Sequence, residues 1–368
     1  MPSQIAHLLL AEDVVADTRP DLRSCHPDTA AALVLGAQGP DLFLHNRRRK
    51  PSGLHYGIVL HRKGSGTFCA SFLDYTMSLS RSGTEPAIIQ CLHAYLIGYL
   101  THVVLDRTLH PYINVHAGWR EPGNPDTYGY HANHVFLERI IDTYLADKLR
   151  SSHPRFMQIH RMMHVSETVR RPLLHALKYS VARSTRRGAQ DTRLLRKLMN
   201  AYNDAASYYA AIHEPDLHDA RRRIRRSPTG SPVWLRYFHP LSLPDDLDPA
   251  NETHRPWRDP CSGLTVSTDS VLDRYGLARK TAADLVSYLY EAERGNAPVY
   301  SASYRNTPFP GDPLPEHTDP GEGFEGRVGN GDLSDERPEG EQCRRIYMDV
   351  MDFKEVLQHA ARAIIDAD

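Results

Sequence analysis

The sequence predicts an all-α protein, a bundle of many helices joined by long proline-rich loops. Three observations carry this. Apolar residues recur at i, i+3 and i+4 through most of the first 295 residues. No segment alternates apolar and polar residues as a half-buried strand would, and no repeat of fixed period appears. The 368 residues are enough to bury a substantial core.

Start and stop signals place the elements in order. Ser3 caps a first helix running to about Val14. Pro27 and Asp28 open a second, "TAAALVLGAQ", which Gly39 and Pro40 end, and "GPDLF" turns the chain. A loop carrying Arg47, Arg48, Arg49 and Lys50 precedes a helix that continues to about Ser80. Pro86 starts a long apolar helix and Pro111 ends it. The Gly- and Pro-rich "HAGWREPGNPDTYGY" feeds an amphipathic helix at about 131–151, and further helices are expected at about 154–181, 189–212 and 270–294. From about Arg226 a polar, Pro-rich stretch with Trp234, Tyr237, Phe238 and Trp257 as apolar anchors reads as an ordered loop wrapping the helices. The expected organisation is one helical domain over 1–295, a disordered Gly-, Pro- and acid-rich segment over 296–342, and a C-terminal helix over 343–368.

The bulk numbers exclude some classes. Forty-four basic against 45 acidic side chains leave a net charge of -1, which gives no electrostatic case for nucleic acid. The five cysteines, at 25, 69, 91, 261 and 343, are scattered and form no CxxC pair, so reduced thiols in a cytoplasmic protein are expected. The N-terminus lacks the pattern of a secretory signal. The most apolar window, 86–105, contains Gln90, His93 and His102 and runs into Asp106, Arg107 and His110. These would be costly in a bilayer, so a buried helix of a soluble protein is expected, with no transmembrane segment.

The chemistry is carried by "YLIGYLTHVVLDRTLHPYI", residues 95–113. His102, Asp106 and His110 stand four residues apart, and four residues advance a helix by only about 40°, so all three share one face. In "HANHVFLERIIDTYL" His134 and Glu138 repeat the spacing and Asp142 continues the line. Helix bundles build interior metal sites this way, and imidazole with carboxylate but no thiolate suits zinc or a related divalent ion. An uncompensated His–Asp pair among Leu and Val costs several kcal/mol. Two such pairs therefore favour shared metal ligation over chance burial. His7, Asp41, His55 and His61 are further candidates upstream.

Other polar features have plainer readings. His93 is a core histidine. His160 and His164 are surface or supporting residues, and Tyr208 and Tyr209 pack. The Arg-rich run 221–226 is a solvated helix end. The His218-Asp219 doublet lies in a polar stretch downstream of the other candidates, which argues against an HD-type phosphohydrolase.

The order of "GAQGPDLF", "LHRKGSG", "GYLTHVVLDRTLHPYI" and "HVFLERIIDTYL" resembles the zinc-dependent phospholipase C family, and more distantly the P1/S1-type nucleases. The resemblance covers about residues 1–150 by motif, with the helices to about 295 belonging to the same unit. It implies an all-α bundle with two or three zinc ions in a cleft. The implied ligands are His7, Asp41, His61, His102, Asp106, His110, His134 and Glu138, with His55 and His131 as alternatives. Asp106 would bridge two ions, Asp41 would double as the base for the attacking water, and Asp142 would hold a ligand histidine. Secreted members use an N-terminal tryptophan as a ligand, whereas this chain starts Met-Pro-Ser, and its step from Asp106 to His110 is shorter. The sequence therefore looks like the intracellular branch. The expected activity is hydrolysis of a phosphoester, a phosphodiester above all, in a small molecule or lipid. A nuclease or nucleotidase on the same scaffold and a non-catalytic protein with a structural metal are the alternatives.

Overall fold

The computed structural model describes residues 4–23, 27–121, 123–213, 217–227, 233–244, 247–301, 323–334, 343 and 345–366. Among these residues fourteen α-helices follow one another. The first half holds α1 (Gln4–Thr18), α2 (Pro27–Ala37), α3 (Asp41–Leu44), α4 (Leu54–Arg62), α5 (Ser65–Arg81), α6 (Pro86–Ala117) and α7 (Tyr130–Arg150). The second half holds α8 (Ile159–Met162), α9 (Glu167–Ser184), α10 (Leu194–His213), α11 (Leu217–Arg225), α12 (Val271–Glu293), α13 (Phe324–Val328) and α14 (Lys354–Asp366). The only strands among the described residues are the antiparallel pair β1 (Trp257–Arg258) and β2 (Val266–Ser267). The chain is all-α, as its periodicity predicts.

The core is built on α6, against which α1, α2, α5, α7 and α12 all pack. It is long and apolar enough to cross a bilayer, but its most apolar stretch is 89 % buried inside the protein, so it is the core helix. The closest approach is to α2. A Cβ at Gly36 would lie 2.0 Å from the Tyr95 carbonyl oxygen, and one at Gly98 would lie 2.4 Å from that of Leu33. Glycine at both positions lets the two backbones touch. That contact carries the following turn, Gly39-Pro40-Asp41, onto the middle of α6. Gly39 takes φ +51°, and a Cβ there would lie 2.5 Å from the His102 ring.

Several expected boundaries move. Pro111 does not end α6, which continues to Ala117. A proline inside a helix costs about 3 kcal/mol. Here the extension buries Tyr112, Ile113, Val115 and Ala117, and the Tyr112 hydroxyl donates to the Pro249 carbonyl at 2.9 Å. The first helix runs past Val14 to Thr18, while its expected cap, Ser3, lies outside the described residues. The helix expected through Ser80 is two, broken at Gly64 with φ +87°. The one expected from 154 starts at Glu167, behind the short α8.

The C-terminal third departs most. The last helix begins at Lys354 rather than 343. Before it the chain runs along the end of α6, where Asp349 and Met351 amides donate to the carbonyls of Val115 and His116, both at 2.9 Å. Cys261 and Cys343 form a disulfide, against the expectation of reduced thiols. Their separation of 82 residues hid the pairing, and the disulfide removes the thiol argument for a reducing compartment. Cys69 and Cys91 are buried and take no part in the disulfide, and Cys25 lies outside the described residues. Residues 323–334 fall within the segment expected to be disordered, yet they are ordered. Phe324 and Leu333 are fully buried, and Gly66 N donates to the Gly329 carbonyl at 2.9 Å. The flanking 302–322 and 335–342 lie outside the described residues. The helical unit therefore extends past 295.

Candidate metal centre

Five elements converge on one buried cluster. α1 supplies His7, the Gly39-Pro40 turn supplies Asp41 and α4 supplies His61. α6 supplies His102, Asp106 and His110 from its single polar line, and α7 supplies His134 and Glu138. Donor atoms gather in three overlapping groups: His7, His102 and Asp106; Asp41, His61 and His102; His110, His134 and Glu138.

Asp106 stands at the junction. Its Oδ1 lies 3.2 Å from His7 Nε2 and 3.7 Å from His110 Nδ1; its Oδ2 lies 3.3 Å from His102 Nε2 and 3.9 Å from His61 Nε2. Asp41 Oδ1 is 2.8 Å from His61 Nε2, and its Oδ2 is 4.0 Å from His102 Nε2. On the far side Glu138 Oε1 lies 3.0 Å from His134 Nε2 and 3.8 Å from His110 Nε2. The His7 and His102 rings stack at 4.0 Å, and those of His110 and His134 at 5.5 Å.

Three of the facing atoms are left over from this pairing. Asp41 Oδ1, Asp106 Oδ2 and His102 Nε2 are buried and have no hydrogen-bond partner. Such atoms are costly in a protein interior. They aim at shared points rather than at each other.

The outer ring nitrogens explain the aim. His102 Nδ1 bonds the Ala37 carbonyl at 3.0 Å, and His61 Nδ1 bonds that of Gly57 at 2.7 Å. His110 Nδ1 bonds the carbonyls of Asp106 at 2.9 Å and Leu333 at 3.1 Å. A carbonyl accepts only, so Nδ1 carries the proton in all three. Nε2 faces the cluster and is the nitrogen whose lone pair a metal would take. This is how metal-binding imidazoles are held.

The electrostatics of the metal-free chain agree. Burial pulls His102 down, but Asp106 and Asp41 overcome it and raise it to about 9. Burial pushes Asp106 up, but His102 and His110 hold it well below the usual carboxylate range. His134, away from this pair of aspartates, is lowered by burial to about 4 despite Glu138. The two aspartates thus hold a proton where a cation would neutralise them. The N/O donor set without sulfur fits a zinc-type ion.

Over residues 6–186 the chain matches the family described as zinc dependent phospholipase C. All eight residues of the cluster fall inside the family segment. No curated protein and no solved structure matches the chain.

Some candidates lie elsewhere. His55 sits one residue before Tyr56, its ring 3.8 Å from that of Tyr56, and belongs to none of the three groups. His131 is exposed and also outside them. Asp142 holds no ligand histidine. It accepts from the Ala6 amide at 2.7 Å and lies 2.9 Å from His239 Nε2 and 3.4 Å from Arg139 Nη1. Through Ala6 it braces the backbone beside His7. His93 pairs with Glu293 at 3.2 Å. Tyr208 and Tyr209 pack on the His45 ring. His164 is exposed and His160 half-buried. Asp219 pairs with Arg222, and the His218 side chain lies outside the described residues.

Two participants had no sequence signal. The strap 323–334, outside the family segment, brings the Leu333 carbonyl to His110, and the Leu333 amide donates to the His61 carbonyl at 2.7 Å. Arg107 clamps the strap, donating to the carbonyls of Val328, Gly329 (3.0 Å) and Gly331 (3.3 Å). Backbone carbonyls leave no trace in residue identity. Arg107 carries no mark beyond its place beside Asp106.

Two outcomes follow. Zinc must displace the proton on His102, so near neutral pH binding releases a proton, and affinity rises with pH until about 9. Calorimetry in buffers of different ionisation enthalpy reads this; zinc uptake without proton release would contradict the electrostatics. Arg107→Met unclamps the strap and lowers zinc affinity about 10–100-fold. Competition against a chelating dye measures it, and unchanged affinity would remove the strap from the centre.

Proposed function

We propose that the protein hydrolyses phosphoesters, phosphodiesters above all, at a centre of two or three zinc ions held by His7, Asp41, His61, His102, Asp106, His110, His134 and Glu138. The supporting observation is the convergence of buried Asp41 Oδ1, Asp106 Oδ2 and His102 Nε2, none with a hydrogen-bond partner, with Nδ1 of His61, His102 and His110 tied to backbone carbonyls. Zinc bound there would supply Lewis acidity toward phosphate oxygens and water acidic enough to ionise near neutral pH.

The chain's own residues do the rest. Asp106 offers one oxygen to each side of the centre, so it suits a bridging role. Asp41 is held by the Gly39-Pro40 turn, with Oδ1 toward His61 and Oδ2 toward His102. From there it orients the attacking water and takes its proton. His61 and His134 keep 19 % and 17 % of their side chains exposed, the largest shares among the eight, so the α4 side is one open edge of the centre. A lipid phosphodiester is the substrate class the family match favours.

The test is a panel of soluble phosphodiesters, phosphomonoesters and nucleotides with zinc-loaded and chelated protein. Zinc-dependent turnover of a phosphodiester is expected, with Asp41→Asn lowering kcat about 10²–10⁴-fold. A zinc-replete wild type that turns over nothing in the panel would leave the centre structural.

A further inference from the structure

The run Arg47-Arg48-Arg49-Lys50 has no part in the metal centre, yet it follows directly on the helix that begins with Asp41. All four residues are exposed. It belongs to a larger surface. The Asn200 side chain donates to the Pro51 carbonyl at 3.0 Å, which joins the loop to α10. The Tyr56 hydroxyl and Lys197 Nζ both donate to Asp191 Oδ2 at 2.6 Å, which joins α4 to the turn before α10. Exposed Arg62 and Lys63 end α4, and exposed Arg187 and Arg193 lie on that turn.

Acids are nearly absent from these segments themselves, while the strap beside His61 adds Glu325, buried against Thr67, and Asp332, which accepts from the Ser334 hydroxyl. None falls between Asp41 and Asp74, and only Asp191 falls between Glu167 and Asp204. Asp191 is taken up by Lys197 and Tyr56. Asp204 is buried under the loop, accepting from the amides of Arg48 and Arg49, both at 2.9 Å, and from the Arg49 guanidinium at 2.6 Å. The loop is thus pinned by its backbone, with Arg47, Arg48 and Lys50 exposed and Arg47 Nε also donating to the Leu44 carbonyl at 3.4 Å. In a chain of net charge -1 this is a marked local excess of positive charge.

Apolar groups stand among the cations. Ile58 is 45 % exposed and shares one face of α4 with His61 and Arg62, at i, i+3 and i+4. Met199, beside Asn200, is 46 % exposed. No aromatic ring is exposed among the described residues of this face. The His55 ring lies against Tyr56, which is buried. Single-stranded nucleic acid would want stacking platforms that are missing here. A cationic face with aliphatic points suits a lipid surface.

We propose that this face docks on an anionic phospholipid bilayer, with the cations at the headgroups and Ile58 in the interface. Its place beside His61 puts that open edge of the metal centre at the membrane. The docking rests on the surface alone; only its purpose rests on the hydrolase reading.

The test uses the full chain in co-sedimentation with vesicles of phosphatidylcholine alone or mixed with phosphatidylserine. Binding is expected only with phosphatidylserine and is lost at high salt. R47E/R48E/K50E lowers it by about fivefold or more for each charge reversed, while Ile58→Ser lowers it without changing the salt dependence. Equal binding by wild type and the triple variant, or no binding to either vesicle, overturns the proposal. Tighter binding to an RNA or DNA oligonucleotide than to the anionic vesicles at equal salt also overturns it. Turnover of a soluble phosphodiester separates the two claims. The triple variant keeps it if only docking is lost, and a wild type that binds vesicles but turns over nothing loses only the hydrolase reading.

Discussion

Two buried aspartates with unsatisfied oxygens, facing imidazoles whose free nitrogens point the same way, are the constraint on which the structure turns. An interior does not tolerate this arrangement without compensation. The fold nevertheless goes to some length to impose it. Gly36 and Gly98 let α2 lie on α6 with backbones in contact, and the turn after α2 then presses Gly39 on the His102 ring and delivers Asp41. The Ala37 carbonyl at the end of α2 accepts a hydrogen bond from His102 Nδ1–H. The same contact thus sets a ligand's position and its tautomer.

The centre draws on both ends of the chain. Its donor atoms lie within the family segment, but His110 and the carbonyl of His61 are tied to Leu333. Arg107 links the strap to the residue next to Asp106, and Thr67 adds a hydroxyl bond to Glu325 at 2.6 Å. The last described segment before α14 lies along the end of α6 beyond Pro111. Packing from the C-terminal third thus both lengthens α6 and encloses one wall of the site.

What was legible in the sequence was local. The helical period puts His102, Asp106 and His110 on one face, and His134 and Glu138 on another, without knowledge of the fold. The helix expected at about 270–294 is α12, which a capping box of Ser270 and Asp273 starts. What was not legible depends on contacts across the chain. The extension of α6 past a proline rests on packing by Trp257 and the 345–351 segment. Cys261 and Cys343 carry no motif. Residues 323–334 have the composition of a disordered stretch, and only Phe324, Val328 and Leu333 bury apolar surface. Asp142 continues the line of His134 and Glu138 along α7, but whether it meets a ligand or His239 is decided by a loop 97 residues away.

The most direct measurement is an anomalous difference map at the zinc absorption edge from crystals of the zinc-loaded protein. Peaks are expected inside the cluster, about 2.0–2.2 Å from Nε2 of the imidazoles and from the oxygens of Asp41, Asp106 and Glu138. Zinc held elsewhere on the chain, or no peak among these eight side chains, would contradict the account.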